Sequence, residues 1–455
     1  MKTRRIINHI LILSLLVFCL GNTASSQAAV TDPGTTGALW TAAFSDPYFM
    51  GTSMTSTPIV TKDDVYVVNR DTLYALSRKT GKTLFQIELP VRMNSVCDPF
   101  LEGDRLYIPL SHGVITCVDL STRTTVWTSE AVTTETVSDY QTLGRLYAYG
   151  DCLYAGVWAR SSQTGSDGVF FCIDKATGRT RWTYRNAEHP AGYYWNRAAK
   201  SHGRLFFMSE DGSLISHSLT DETVYETRSL TDGLEVRNGL TASGDGDSLY
   251  TVTKAGILLR IRIGKDGSIT DVERTHLIPD DGQGKLLSCT STPAIYGGRL
   301  YVGCIYDGYG CLCVIDADTL QLIYRATGPK GGEIKSRPLI LPVDDGNGDV
   351  NVYVTANEST GSLYLLTDHK NATTGTLKTL FTPYSARQYC LANVSAGEDG
   401  TLYYSNDSGT LFAIGETLFS ADLPADIIKK KKQALSKLTD SLREVLTLLI
   451  RNQFR

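Results

Sequence analysis

The sequence predicts an all-β chain closed into an eight-bladed β-propeller of four-stranded blades, with a C-terminal amphipathic helix. Three observations carry this. A short strand with a central aromatic recurs eight times. Each recurrence is followed by a second strand and, in several copies, a Gly-bearing turn and a closing aromatic. The last copy lacks its outer strand, while a spare strand precedes the first copy.

The recurring strand is Val65-Tyr66-Val67, then Leu106-Tyr107-Ile108, Leu153-Tyr154-Ala155, Leu205-Phe206-Phe207, Leu249-Tyr250-Thr251, Leu300-Tyr301-Val302, Val352-Tyr353-Val354 and Leu402-Tyr403-Tyr404. Successive anchor aromatics stand 41, 47, 52, 44, 51, 52 and 50 residues apart. That spacing suits one four-stranded blade per repeat. Leu73-Tyr74-Ala75-Leu76 and Gly361-Ser362-Leu363-Tyr364 are examples of the next strand, and Lys79-Thr80-Gly81-Lys82 and Ala176-Thr177-Gly178-Arg179 are turns in which Gly supplies a positive φ. Phe85, Trp127, Trp182, Tyr225, Tyr324 and Phe381 close the unit, each able to wedge between neighbouring sheets. Before four anchors lies a Pro (Pro58, Pro99, Pro293, Pro338), which suits the unpaired edge of an innermost strand. The spare strand holds Trp40. Pairing it with the final copy joins the two ends of the array and hides their edges.

The predicted organisation is a signal peptide over 1–28, the propeller over 37–420 and the helix over 425–455. Residues 1–6 are basic, 7–20 mostly apolar, and Ser26 and Ala28 fit the small-residue positions of a cleavage site. The apolar run is short for a spanning helix, so no transmembrane segment is expected after its removal. In the tail, Leu435, Leu438, Leu442, Val445 and Leu449 alternate spacings of three and four beside Lys429–Lys432. Such a helix suits association with a partner or docking on the chain's own propeller, and secondarily an anionic membrane surface.

The net charge of −4 hides an asymmetry: the first 28 residues carry +3 and residues 425–455 carry +5, leaving −12 on the body. An acidic body speaks against nucleic-acid binding. Nine cysteines remain after the leader, an odd number. Cys117 and Cys172, at equivalent places in two repeats, read as small buried hydrophobes, and Cys311-Leu312-Cys313 lacks the partner pair of a zinc site.

The runs Asp174-Lys175-Ala176-Thr177-Gly178-Arg179-Thr180-Arg181-Trp182 and Leu73-Tyr74-Ala75-Leu76 with Thr80-Gly81-Lys82 resemble the PQQ-like repeat, across roughly Trp40 to Gly415. The resemblance is strong in blades one to three and six and weaker in four, five and seven. It implies a propeller shared by quinoprotein dehydrogenases and by non-enzymatic BamB-like assembly factors. The quinoprotein branch would bring a quinone, Ca²⁺ and a disulfide of adjacent cysteines. This chain has no Cys-Cys pair. Asp344-Asp345-Gly346-Asn347-Gly348-Asp349 and Gly244-Asp245-Gly246-Asp247 resemble calcium loops in composition only and read as solvated loops. No nucleophile elbow, phosphate loop or zinc-protease motif is present. His189 with Tyr193, Tyr194 and Trp195 marks an aromatic loop that suits either ligand stacking or covering of a blade edge.

One constellation points to a ligand. Counting back from the anchors to the level just before the inner-strand Pro gives Thr57, Asp98, Arg145, Arg197, Thr292 and Arg337, with Arg237 or Asn238 near that level in blade five. Equivalent positions in a propeller ring the axis. Arg145, Arg197 and Arg337 there could receive a carboxylate or phosphate, and internal pairing with Asp98 or other residues is the simpler arrangement. The expected function is an exported, non-catalytic binding or scaffold module for protein, glycan or cell-envelope components, needing no cofactor. The alternatives are a PQQ- and Ca-dependent oxidoreductase and an outer-membrane assembly factor.

Overall fold

A computed structural model describes residues 36–44 and 55–416, apart from 94–96, 163–164, 187, 189, 224, 280–281, 283 and 344–346. The predicted leader, the C-terminal helix, His189 and Asp344–Gly346 lie outside the described residues. Eight antiparallel sheets follow one another around an axis. Blade one is Ile59–Val60, Asp64–Asn69, Thr72–Ser77 and Thr83–Glu88, from the axis outward. Blades two to seven repeat this order. A small hairpin, Ala159–Ser161 with Gly165–Asp167, is inserted in blade three. Two short inner strands, Leu287–Ser288 and Ala294–Tyr296, share the long strand Arg299–Tyr306 in blade six.

Blade eight is made from both ends of the chain. Ser395–Ala396, Leu402–Asn406 and Thr410–Glu416 supply its inner strands, and Thr36–Ala43 its outer one. The N-terminal strand runs antiparallel to the last, from Thr36 opposite Glu416 to Ala43 opposite Thr410, with one bulge between Ala38 and Trp40. Every backbone group along that edge of Thr410–Glu416 thereby gains a partner that an open array would leave to solvent.

Both faces of each central strand are buried, because each blade packs between two others. Val65 and Val67 join Tyr403, Leu411 and Ala413 of blade eight, whereas Tyr66 and Val68 join Leu106, Ile108 and Val118 of blade two. The period of two therefore sorts residues between two interfaces rather than between core and water. The same rule accounts for Cys311-Leu312-Cys313: both thiols face the packing shared with blade five, and Leu312 faces blade seven. All nine described cysteines are free and buried, Cys117 and Cys172 among them. Burial pushes the Cys117 thiol up to about 11.

The outer aromatics act as wedges in a specific way. Trp40 packs against its own blade's Tyr403, ring centres 5.8 Å apart, and Trp127 against Tyr107 at 5.9 Å. Each then reaches the next blade's turn. The Trp40 indole N–H donates to the Arg78 carbonyl (2.8 Å) and the Trp127 N–H to the Lys175 carbonyl (3.0 Å). The indole faces lie so close on Gly81 and Gly178 that a Cβ there would meet ring carbon at 2.4 Å in both cases. The Gly of the Thr-Gly turn is therefore a docking surface for the neighbour's ring as well as a positive-φ residue.

No helix of the described residues is long and apolar enough to cross a membrane. Trp40→Ala is expected to cost about 2–3 kcal/mol of stability in denaturant titration, because it opens a cavity and removes the inter-blade hydrogen bond at the closing blade. A loss below about 0.5 kcal/mol would mean that the closing strand does not hold the wheel.

Candidate functional site

A repeated hydrogen bond aligns the residues that ring the axis. In five blades one residue ties its inner strand to the second strand of the same blade. The Ser56 hydroxyl accepts from Val68 N–H and the Ser336 hydroxyl from Thr355 N–H, both at 3.0 Å. Cys97 Sγ donates to the Pro109 carbonyl, Asn196 Nδ2 to Met208 and Asn238 Nδ2 to Val252. The residues one step further along form the ring: Thr57, Asp98, Arg197, Gly239 and Arg337. Equivalent steps put Arg145 in blade three, Thr292 in blade six and Asn393 in blade eight.

The sequence-predicted set is thus brought together, with one correction. In blade five the ring position is Gly239, not Arg237 or Asn238. A Cβ at Gly239 would lie 2.6 Å from Arg197 Cβ and 3.3 Å from Thr292 Oγ1, so the neighbouring Arg197 occupies the space. Arg237 instead faces outward, where it pairs with Glu210 (2.7 Å) and lies over Tyr194, 4.6 Å from the ring centre. Of the internal pairings expected, Arg145 with Asp98 is present.

Asp98 is fully engaged. Its carboxylate accepts from Arg145 Nε (2.8 Å), Thr57 Oγ1 (2.5 Å) and Asn393 Nδ2 (3.0 and 3.1 Å). Asn393, absent from the predicted set, is the keystone. Its Oδ1 accepts from Arg145 Nη2 and from Arg337 N–H, each at 2.8 Å. It joins blade eight to blades one, two, three and seven in one network. The count that found the other positions misses it: the ring stands nine residues before the anchor in blades one to four and six, but ten before Tyr403.

Among the described residues Arg197 and Arg337 make no ion pair with a carboxylate, and Asp98 attracts both only from beyond contact. Arg337 Nε is buried without a hydrogen bond. Arg197 lies over the Tyr147 ring, 5.7 Å from its centre. Burial lowers the Arg197 guanidinium from its ordinary value, and Arg145 adds to this. Arg337 is pushed down to about 10, first by burial and then by Arg197 and Arg145. Both stay protonated at neutral pH. The ring therefore carries three positive charges against one negative.

A cavity opens between this ring and the residues two positions earlier. Asp98, Arg145, Thr292 and Asn393 line its floor, and Leu143, Trp195, Thr290, Lys335 and Leu391 its mouth. The aromatic loop divides as it approaches the mouth. Tyr193 is buried between Phe170 and Phe207, covering a blade edge. Tyr194 sits edge-on to Trp158 and Trp195, and Lys335 Nζ stands 5.5 Å from the Trp195 ring centre.

A Ca²⁺-quinone centre needs six to eight hard oxygens around the cation. The hub offers one carboxylate, already held by three donors, amid guanidinium groups. Among the described residues no group of three or more His, Cys, Asp or Glu could hold a metal ion. Asp349 is bonded to His369 and to Lys370 N–H, and Asp247 to His202 and Lys265. The donor set fits an anion and does not fit a Ca²⁺-bound quinone.

Eight blades, wedge aromatics seated on Thr-Gly turns and a polar hub define a propeller of PQQ-like repeats. The chain belongs to the family described as outer membrane protein assembly factor BamB, whose sequence pattern matches residues 24–269. No curated protein matches. Among solved structures, BamB from Moraxella catarrhalis is similar with 13% identity and a TM-score of 0.56, over 83% of this chain and 99% of that one. A quinohemoprotein alcohol dehydrogenase from Pseudomonas putida HK5 matches with 12% identity and a TM-score of 0.61, over 88% and 79%. Another from Comamonas testosteroni matches with 11% identity and a TM-score of 0.60, over 85% and 78%. At such identities the likeness is one of fold.

Asp98→Asn removes the one carboxylate charge of the ring among the described residues while leaving three guanidinium groups. It is expected to cost about 1–3 kcal/mol in low-salt thermal or denaturant unfolding, with part of the loss recovered as salt is raised. An unchanged or raised stability would show that Asp98 does not compensate the arginines.

Proposed function

We propose that the protein is a non-catalytic binding module working outside the cytoplasm, with its blade faces and hub holding protein, glycan or cell-envelope components. The observation that carries this reading is the chemistry of the hub. A cationic ring with one fully bonded carboxylate can receive a ligand group. It offers no free base poised to take a proton from a substrate and no oxygen cage for a metal. The family match and the basic, apolar leader followed by small residues support work in the cell envelope. Assembly of outer-membrane proteins, the role printed for the family, is the finer form of this reading. The aromatic rim of Trp158, Tyr194 and Trp195 suits stacking on a sugar or a partner side chain.

The rival is quinone-dependent oxidation, which the shared fold of the two dehydrogenases keeps in view. Incubation of the protein with PQQ and Ca²⁺, followed by dialysis, is expected to leave no quinone absorbance. Retention of about one quinone per chain would overturn the proposal. Affinity capture with the full mature chain and with a chain ending at residue 424 is expected to return the same envelope partners, since the family match, 24–269, lies mostly in the propeller and does not reach the tail. Loss of all partners on truncation would move binding to the tail.

A further inference from the structure

We propose that the cleft between blade three's inserted hairpin and the loops of blades four and five binds a neutral sugar ring. The proposal rests on the reading of the protein as a binding module and names the ligand class taken at its aromatic rim.

The cleft is framed by residues beyond the plain four-stranded blade. The hairpin Ala159–Ser161 with Gly165–Asp167 has no counterpart in the other blades among the described residues. It is anchored through Asp167, which accepts from Arg185 Nη2 (2.6 Å) and from the Tyr140 hydroxyl (3.0 Å). Blade three contributes Trp158, Gly165 and Ser166 to the cleft lining. The blade-four turn contributes Glu210 and Asp211, and the loop leading to blade five contributes Glu235 and Arg237. The free space is about 370 Å³. That lies in the range of about 300–1,000 Å³ usual for small-ligand sites. The axial cavity, at about 30 Å³, does not reach it.

Trp158 is fixed before any ligand arrives. Its backbone N–H donates to the Gln141 carbonyl (2.9 Å), and its carbonyl accepts from Gln141 N–H (2.7 Å). The indole N–H donates to Glu210 Oε2 at 2.8 Å, and the ring stands edge-on to Tyr194, centres 5.3 Å apart. Gly192 packs so closely on it that a Cβ there would meet Trp158 Cδ1 at 2.1 Å. Trp158 nevertheless stays partly exposed. Glu210 is buried, and its other oxygen accepts from Arg237 Nε at 2.7 Å. One buried acid thus positions both the aromatic and the guanidinium of the cleft. A ring held in place loses little freedom when a ligand stacks on it.

The polar groups select the ligand. Glu235 is exposed, with Oε2 accepting from Lys254 at 2.8 Å, and Asp211 accepts from Ser209 and Ser213. Three carboxylates repel an anionic group. Arg237 repels a cationic group placed beside it. A neutral ring bearing hydroxyls meets both kinds of partner, because each hydroxyl can donate to a carboxylate and accept from a guanidinium. Its C–H face can lie on Trp158. The acidic excess would also draw a basic side chain of a partner, and the experiment separates the two.

The test measures binding to the mature protein by calorimetry and saturation-transfer NMR. The probes are glucose, galactose, mannose, N-acetylglucosamine and the β-1,4-linked dimers of glucose and of N-acetylglucosamine. N-acetyl-arginine amide is the cationic probe. At least one sugar is expected to bind saturably, with little change as salt is raised. Glu235→Ala is expected to weaken that binding about tenfold, the value of a hydrogen bond to a charged group. Trp158→Ala is expected to abolish it, with circular dichroism and melting used to confirm the fold. If Trp158→Ala fails to fold, Trp158→Phe takes its place and is expected to weaken binding about threefold or more. Tyr384→Ala, at a residue 97% exposed and outside the cleft, is expected to bind as wild type. The proposal is overturned if no sugar binds saturably, if the arginine probe binds and no sugar does, or if sugar binding ignores both cleft substitutions. With no quinone retained, the binding-module reading would survive any of these results, whereas a retained quinone would sink that reading by itself.

Discussion

The pairing of Thr36–Ala43 with Thr410–Glu416 is the constraint on which the rest of the structure depends. It joins residues almost four hundred positions apart and converts a linear array of sheets into a ring. The hub network exists only because of it. Thr57 and Asn393, 336 residues apart in sequence, meet at 3.3 Å, and Asn393 reaches Asp98 in blade two. An open array would carry the same residues with no common centre.

Closure in turn depends on how blades pack. Each blade offers two apolar faces, so its central strands are buried on both sides and its neighbours fix its tilt. The outer aromatics add direction to this non-directional burial. The indole N–H groups of Trp40 and Trp127 find a carbonyl in the next blade's turn, and their faces rest on a glycine there. At the boundary of blades six and seven the same task is done by polar chemistry: the buried Asp368 accepts from Tyr301 (2.7 Å), Tyr324 (2.6 Å) and Arg299 (2.7 Å). The hub contrasts with both solutions. There the fold sets three guanidinium groups around one carboxylate.

Much of the architecture was legible because its signals are local and repeat. An aromatic at the centre of a strand, a Thr-Gly turn and a closing ring recur at blade spacing, and Trp40 stood out as the one closing ring without a preceding blade. The ring of axial residues was legible where the hairpin before the anchor keeps one length. It failed in blade five, where Gly239 lies eleven residues before Tyr250, and in blade eight, where Asn393 lies ten before Tyr403. Hairpin length follows turn chemistry and insertions rather than the blade period, so counting from an anchor slips by one or two residues. A slip of one points the wrong side chain at the axis. The side-chain ties of Asn196 and Asn238 to the neighbouring strand carry the true alignment, and they are visible only in space.

The sequence by itself determined the all-β class, the eight repeats, the use of both termini in one blade and the presence of arginines near the axis, because each is written in spacing and residue type along the chain. Only the tertiary structure decided which arginine Asp98 neutralises, that Asn393 links five blades, and that Arg197 and Arg337 make no ion pair with a carboxylate among the described residues. Charge balance at a hub is a sum over residues brought together from every blade. No local stretch of sequence holds that sum, and a shift of one residue in any hairpin changes it.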